Sequence, residues 1–398
     1  MSEKRRDNKN RILRTGESQR KDGRYVYKYV DVHGKQKFVY AWTLVPTDRI
    51  PAGKRSDLSL REKEKTIQKE LADGISHIGK DMTVFALYEK YTRYKANVCE
   101  NTMIGRKQLK RILCEDSIGI YPIVHVRLSD AKEWALRMKM KGYSYQTVSN
   151  YKRSLKAAFY MAVQDDYLRK NPFDFPISDV LEDDRKPKLP LSSSVEKEFL
   201  SFLEHDKVYH KYYDDVVILL GTGLRISEFC GLRDKDIDLG KQVIIIDHQL
   251  LRNSHYSYCV TRPKTDSSIR KIPMSTKVSH AVERVLKRQK QAKTFSVNGY
   301  HGFLFLNRKG MPRTSADYAS IFQRIARKYN RQNEINPLPS PFTAHILRHT
   351  FCTKLAYTGM NPKALQYIMG HKNITMTLNY YAHSNAEMAI NEMKKYIE

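Results

Sequence analysis

Between residues 24 and 44 the chain alternates. Arg24-Tyr-Val-Tyr-Lys-Tyr-Val30 and Lys37-Phe-Val-Tyr-Ala-Trp-Thr-Leu44 carry aromatic and β-branched residues at period two, with Asp31-Val-His-Gly34 between them. That pattern predicts a hairpin. The spacing then changes, and Leu58 through Leu71 predicts a helix packing on it. From Thr83, apolar positions recur at three and four. Val84, Leu87, Tyr88, Tyr91 and Tyr94 mark a first helix. A second follows Thr102 and carries Arg106, Lys107, Lys110 and Arg111. A third starts at Leu128 behind a serine cap, Ser129, with Glu133 nearby. The fourth runs from Tyr145 to Val163. Its stripe is Val148, Tyr151, Leu155, Ala158, Phe159 and Ala162, and Lys152, Arg153 and Lys156 line the other side.

Asn171-Pro172 ends this pattern. Pro172, Pro176, Pro187 and Pro190, with Glu182-Asp-Asp-Arg-Lys, predict an exposed linker. Ser193-Ser-Val-Glu196 has the form of a capping box that starts the next helix. Beyond it the elements mix. Tyr213–Leu220 reads as an apolar helix broken by Gly221-Thr-Gly223, and Arg225–Leu232 as a short helix. Val243–Asp247, Tyr256–Thr261, Arg270–Ile272 and Phe303–Leu306 are candidate strands. Helices are expected over 275–293, 315–329, 345–357, 362–369 and 386–396. The fold class expected is multidomain. Residues 1–75 form a small α+β domain, a β-sheet plus a helix. Residues 82–172 form an all-α four-helix domain, 173–191 an interdomain linker, and 192–398 a mixed, mainly-α domain with a small antiparallel β-sheet.

Charge narrows the partners. The 398 residues carry a net charge of +28 at a sequence pI near 9.7. Residues 1–25 alone hold nine Lys or Arg against four Asp or Glu. Such an excess favours a polyanion, because each cation placed on a phosphate releases a counterion. The basic hairpin, with Arg5, Arg6, Arg24, Tyr27, Lys28, Lys37 and Tyr40, is one candidate DNA surface. Lys107, Lys110, Arg111, Lys152, Arg153 and Lys156 of the helical domain are another. The competing readings are a hairpin whose aromatics only make a core, and lysines that are only solvated. Five scattered cysteines without a Cys-x-x-Cys pair suit reduced thiols, not a disulfide framework or a zinc knuckle. No apolar run reaches 18 residues and no signal-peptide core stands near the N-terminus, so a soluble, unsecreted chain is expected.

The chemistry concentrates in residues 343–383. His345-Ile-Leu-Arg348, Gly370-His371 and Tyr380-Tyr381-Ala-His383 follow one another there, and Gly223-Leu-Arg225-Ile-Ser-Glu228 lies upstream. Two arginines suit a phosphodiester, since each guanidinium can bond two non-bridging oxygens in a planar fork. His345 and Arg348, three apart, share a helix face. His371 at a Gly-His turn can donate to the same phosphate. A tyrosine hydroxyl can attack phosphorus when cations favour the phenolate. Lys264, in Pro263-Lys-Thr between two predicted strands, suits a proton donor at a hairpin tip. Taken singly, Arg225 could instead only bridge to Glu228, and Gly-His could be only a turn. His345 and His349 have metal-pair spacing, but Ile346 stands where a zincin motif has glutamate, and no metal is expected.

Arginine, lysine, histidine, arginine, histidine and tyrosine in this order resemble the catalytic set of the tyrosine recombinases, the phage-type integrases. The basic N-terminal domain makes the likeness strongest to integrases of conjugative transposons. The resemblance covers residues 82–398 and reaches the N-terminal domain more loosely. It implies an arm-type DNA-binding domain at 1–75, a core-binding domain at 82–172 and a catalytic domain at 192–398. It implies Arg225, Lys264, His345, Arg348 and His371 as catalytic residues. The Tyr-x-His ending selects Tyr381 as nucleophile, with Tyr380 as runner-up because counting nine from His371 selects it. The implied reaction is integration and excision of a mobile element through a 3′-phosphotyrosyl bond, without cofactor. The implied partners are double-stranded DNA at core-type and arm-type sites, a tetramer of this chain on DNA, and a small excision factor as a candidate. The implied place is the bacterial cytosol, on the nucleoid. A non-catalytic DNA-binding protein, a type IB topoisomerase and, more remotely, an RNA-binding protein are the alternatives.

Overall fold

The computed structural model describes residues 5–31, 34–72, 81–98, 100–185, 189–253, 257–262, 268–289 and 295–381, with Met393. The chain divides into two units between residues 186 and 187. No helix among the described residues is long and apolar enough to cross a membrane.

The first unit opens with strands β1 (Glu17–Gln19), β2 (Tyr25–Val30) and β3 (Gln36–Ala41), antiparallel in the order β1-β2-β3. Tyr25 pairs with Ala41 and Tyr27 with Val39, so the alternation turns Tyr25, Tyr27 and Ala41 to one face. Helix α1 (Leu60–Ala72) brings Leu60 and Ile67 onto that face, and Leu13 and Leu44 complete the core. Buried carboxylates reinforce this small core. Glu17 takes Arg61 at 3.0 Å, and Arg11 bridges Asp7 and Asp48, both at 2.8 Å. Tyr27, expected on a DNA surface, is buried here and stacks on Tyr29 with ring centroids 5.8 Å apart. The pleat sends it to the core side.

Four helices follow: α2 (Val84–Tyr94), α3 (Glu100–Glu115), α4 (Leu128–Met140) and α5 (Tyr145–Gln164). Thr83 caps α2 and Ser144 caps α5, each accepting from a backbone N–H in the first turn. Helix α4 differs from expectation. Its N-cap is Arg127, whose N–H is taken by the Asp130 carboxylate at 2.7 Å, and Ser129 lies inside the first turn. The apolar stripes pack Leu87, Tyr88, Leu113, Trp134, Leu155 and Phe159 into one core. Tyr94, expected on the α2 stripe, is 69% exposed at the helix end. The proline-rich stretch is exposed at most of its described residues, including 182–185, but is anchored at a few apolar ones. Phe173, Phe175 and Leu181 are buried in the helical core, and Phe173 meets the Trp134 ring edge-on at 5.8 Å.

The second unit begins with α6 (Ser193–His205), capped by Ser192, one residue before the expected box. Helix α7 (Tyr213–Thr222) runs through Gly221 and ends at Gly223, whose φ of 61° is left-handed. A Cβ there would stand 2.4 Å from the Phe351 ring, so glycine both turns the chain and admits that ring. Then come α8 (Ile226–Gly231), β4 (Ile237–Asp238), β5 (Val243–Ile246), β6 (Gln249–Arg252), β7 (Tyr258–Thr261) and β8 (Arg270–Pro273). They form a three-stranded antiparallel sheet β4-β5-β8 and a two-stranded sheet β6-β7. Helices α9 (Thr276–Gln289), α10 (Ser315–Gln332), α11 (Ala344–Tyr357), α12 (Pro362–Met369) and α13 (Thr375–Leu378) complete the described part. Residues 303–306 make single bridges, Arg233 to Phe303 and Leu306 to Pro312, and no strand. The main core centres on Phe199, Phe229, Tyr318, Phe322 and Phe342. A second cluster joins Cys352, Ala356, Leu365 and Met369 and carries Tyr380 and Tyr381 at its edge. The helix expected over 386–396 lies outside the described residues, apart from Met393.

Candidate active site and nucleic-acid surfaces

The site is organised by the C-terminal end of α12. Asn361 starts this helix by accepting from Lys363 N at 2.9 Å and Ala364 N at 3.3 Å, and Pro362 occupies its first turn. Gly370, at φ 62°, ends it. A helix end leaves its last carbonyls without intrahelical partners. Here every one is taken. His371 N–H returns to the Gln366 carbonyl at 3.1 Å and Gly370 N–H to Tyr367 at 3.0 Å. Arg270 Nε donates to the Ile368 carbonyl at 2.6 Å, Arg348 Nη2 to Met369 at 2.5 Å, and Arg225 Nη2 to Gly370 at 2.5 Å. Three successive carbonyls hold three arginines, where the helix dipole also favours positive charge.

Each arginine has a second anchor. Arg225, at the start of α8, donates Nη1 to Glu228 Oε1 at 2.7 Å and its backbone N–H to Oε2 at 2.9 Å. Arg348, in the first half of α11, donates Nη1 to the Gly223 carbonyl at 2.5 Å. Arg348 is buried. Burial, then the like charge of Arg225, lowers its pKa to about 10. His345, one turn earlier, is exposed. His371 is buried, with Nδ1 3.0 Å from Thr377 Oγ1. Burial, then Arg348 and Arg225, pulls its pKa down to about 4, so the ring is neutral at physiological pH.

The tyrosines stand at different places. The Tyr380 ring lies parallel to His371, centroids 6.3 Å apart, and 4.8 Å from the His349 ring. Tyr381 turns away and donates its hydroxyl to the Met360 carbonyl. Burial raises both phenols above the usual range. Arg225, His345, Arg348, His371 and Tyr380 are thus brought together, and Tyr381 lies beside them. Lys264 and His383 fall outside the described residues. Arg270 was not among the expected residues. A lone arginine beside Lys271 on a strand has the look of solvated charge.

One other acidic and histidine group draws attention. Asp236, Asp247 and His248 bring their ligand atoms within 4.8 Å of one another. Its groups are already engaged. Asp236 takes Arg233 through both oxygens, and His248 points one nitrogen at Asp247 and the other at the Gly231 carbonyl, 2.8 Å away. Both ring nitrogens are thus already directed at oxygen atoms of the protein.

The sheet face opposite the small N-terminal core is aromatic and basic. Arg20 lies 5.8 Å and Arg24 5.7 Å from the Tyr40 ring, while Arg24 at 5.5 Å and Lys54 at 4.7 Å flank Trp42. Lys28 and Phe38 share this exposed face. Lys37 is exposed but pairs with Tyr29, on the other side of the pleat. Arg5 and Arg6 are exposed, and Arg6 donates to the Asn10 carbonyl at 2.7 Å. In the helical domain Lys107 and Arg153 are exposed, Lys110 faces Glu89 at 3.4 Å, and Arg111 faces Glu115 at 3.7 Å. Lys152 does not belong to a surface. It is buried, with its ammonium on the Phe175 carbonyl and 4.5 Å from the Phe175 ring. Lys156 is half-buried and pairs with Asp174.

Comparison with known proteins agrees with this architecture. Residues 1–71 match the DNA-binding domain of Tn916 integrase, and residues 191–388 match the phage integrase family. The transposase from transposon Tn916 of Enterococcus faecalis is 54% identical over 99% of this chain and 97% of its own length. The Tn1549 transposon integrase in complex with a circular intermediate DNA is 58% identical, over 79% of this chain and 99% of that one, at a TM-score of 0.76. The same integrase with transposon right end DNA also superposes at 0.76, over 80% of this chain and all of that one. With a buried arginine pair, a neutral histidine and two tyrosines at one helix end, the chain belongs to the phage integrase family and is a tyrosine site-specific recombinase.

Proposed function

We propose that Tyr381 is the nucleophile with which this recombinase cuts and rejoins DNA at the ends of a mobile element, and that Arg225, Lys264, His345, Arg348 and His371 serve the scissile phosphate. The observation that carries the reading is the meeting of Arg225, Arg348 and His371 at the end of α12. A pentavalent phosphorus places added charge on its non-bridging oxygens. Donors fixed before the DNA arrives stabilise that charge without reorganising. A neutral His371 that accepts from the Thr377 hydroxyl at Nδ1 carries its proton on Nε2, where it donates to the phosphate.

The tyrosine hydroxyl gives up its proton to solvent as its oxygen attacks phosphorus, and the P–O5′ bond breaks as the 5′-oxygen takes a proton from Lys264, which solvent restores. A 3′-phosphotyrosyl bond and a free 5′-hydroxyl result. A 5′-hydroxyl of a partner duplex then attacks the same phosphorus and releases the tyrosine, so bond energy is conserved and no ATP enters. The Tyr381-Ala-His383 ending supports Tyr381. In this conformation its hydroxyl is held by the Met360 carbonyl, so attack requires the turn over 378–381 to open. Tyr380 is the second reading, favoured by its ring beside His371.

The N-terminal sheet face, through Arg24, Lys28 and Tyr40, takes arm-type sites, and the helical domain takes core-type sites through Lys107, Lys110, Arg111 and Arg153. The Tn1549 integrase complexes with circular intermediate and transposon-end DNA support double-stranded DNA as the partner. Four protomers on two duplexes, with a small excision factor, complete the reading. Covalent trapping on a nicked suicide duplex without added metal tests it. An adduct lost in Tyr381→Phe and kept in Tyr380→Phe is expected. Loss only in Tyr380→Phe moves the nucleophile, and no adduct beside tight binding overturns the reading.

A further inference from the structure

Arg270 is spent entirely on the protein. Its side chain has no solvent exposure. Nε goes to the Ile368 carbonyl at 2.6 Å, Nη1 to the Ser268 carbonyl at 2.9 Å and Glu228 Oε1 at 3.1 Å, and Nη2 to Glu228 Oε2 at 2.8 Å. Four of its five N–H donors are engaged. It therefore cannot bind a phosphate. Arg225 differs. Its side chain keeps 34% exposure, and two of its five donors are spent on Glu228 and Gly370.

Glu228 is the joint between them. Each of its oxygens is shared by Arg225 and Arg270. Burial raises this carboxyl, and the hydrogen bond and charge of Arg270, then Arg225, more than offset that, holding it below its usual range. Without Arg270 the carboxylate would have to draw a full neutralising contact from Arg225, which then turns inward. Arg270 also grips Ile368, three residues before His371, and begins the strand β8 six residues after Lys264.

We propose that Arg270 is a positioning residue for strand cleavage. Through Glu228 and the Ile368 carbonyl it sets Arg225 and the Gly370–His371 turn at the spacing that one phosphate spans. The inference rests on the reading of Arg225 as a phosphate ligand.

The test uses the full-length chain on nicked suicide duplexes in single turnover, with an ordinary scissile phosphate and with a methylphosphonate, whose methyl group replaces a charged oxygen. Arg270→Lys keeps the charge and loses the fork. It is expected to slow cleavage of the phosphodiester about a hundredfold at saturating DNA, with core-site Kd within about threefold. On the methylphosphonate, which carries no charge for Arg225 to neutralise, the loss is expected to shrink to below about fivefold. A general folding defect slows both substrates alike, and that result overturns the proposal, as does wild-type cleavage of the phosphodiester. Should Arg270→Lys not fold, Arg270→Gln combined with Glu228→Gln removes both buried charges together and is read by the same ratio of substrates. Failure of the underlying reading shows separately, as an Arg225→Ala variant that cleaves at the wild-type rate.

Discussion

Arginine is used in two opposite ways in this molecule. On the N-terminal sheet, Arg20 and Arg24 lie over Tyr40 and Trp42 in contact with solvent. At the end of α12, Arg270 and Arg348 are buried and each is held by fixed carbonyl or carboxylate oxygens. The sheet cations stay in contact with solvent, Arg24 through a surface ion pair with Asp22 at 2.8 Å. They can move from ring to phosphate at little cost and follow a backbone whose sequence varies. The buried cations have paid desolvation during folding, offset by the helix-end carbonyls and Glu228. Of the two, Arg348 is the one proposed to meet the reacting phosphate already aimed, while Arg270 only holds its neighbours in place. Affinity tolerates the first arrangement, and chemistry needs the second.

The comparison breaks first at Arg348. Arg348→Ala is expected to slow single-turnover cleavage about a thousandfold or more while core-site affinity changes by less than about tenfold. Cleavage within tenfold of wild type, measured on the suicide duplex, would mean that burial there serves only the fold. A second break concerns the two sides of the sheet. Tyr27→Ala should destabilise the N-terminal domain by about 3 kcal/mol, and the exposed Tyr40→Ala by less than about 1 kcal/mol. Hydrogen exchange of β2 amides in the intact chain reads both, and equal effects would contradict the assignment of faces.

Smaller effects sharpen the contrast. Arg24→Ala should weaken arm-site binding about fivefold and lower the slope of log K against log salt by about one, with cleavage at the core site unchanged. An unchanged salt slope would remove Arg24 from the DNA contact. The smallest effect expected is on acid stability. His371 has a folded pKa of about 4 against an ordinary value of 6.5. The unfolded chain binds more protons between those values, so the contribution is full above pH 6.5 and is lost as pH falls towards 4. Hydrogen exchange at α12 from pH 7 to 4, compared with His371→Gln, measures it, and identical pH profiles would refute it.

Much of this was legible in the sequence where the cause is local. Helices α2 and α5 are written by their apolar period. Arg225, His345, Arg348 and His371 stand in short motifs that name them. What was not legible depends on partners far along the chain. Lys152 looks solvated beside Arg153, yet its acceptor is the Phe175 carbonyl, 23 residues on. The stretch after Pro172 looks exposed by its prolines and charges, and mostly is, while Phe173, Phe175 and Leu181 were the signal that it is anchored. Strands β1 and β6, Glu-Ser-Gln and Gln-Leu-Leu-Arg, lack alternation and exist because neighbours pair with them. Arg270 was hidden for the same reason, since its burial follows from Glu228, 42 residues earlier.

The acceptors at residues 368, 369 and 370 are main-chain atoms. No point substitution can delete a carbonyl. The side chain of Ile368 can therefore drift without loosening the arginines, whereas one residue inserted or removed between Gly359 and His371 would shift all three acceptors at once. Substitutions along α12 are therefore expected to be tolerated better than any change in its length. Redesign of the enzyme for new target sites should keep that length as its first constraint.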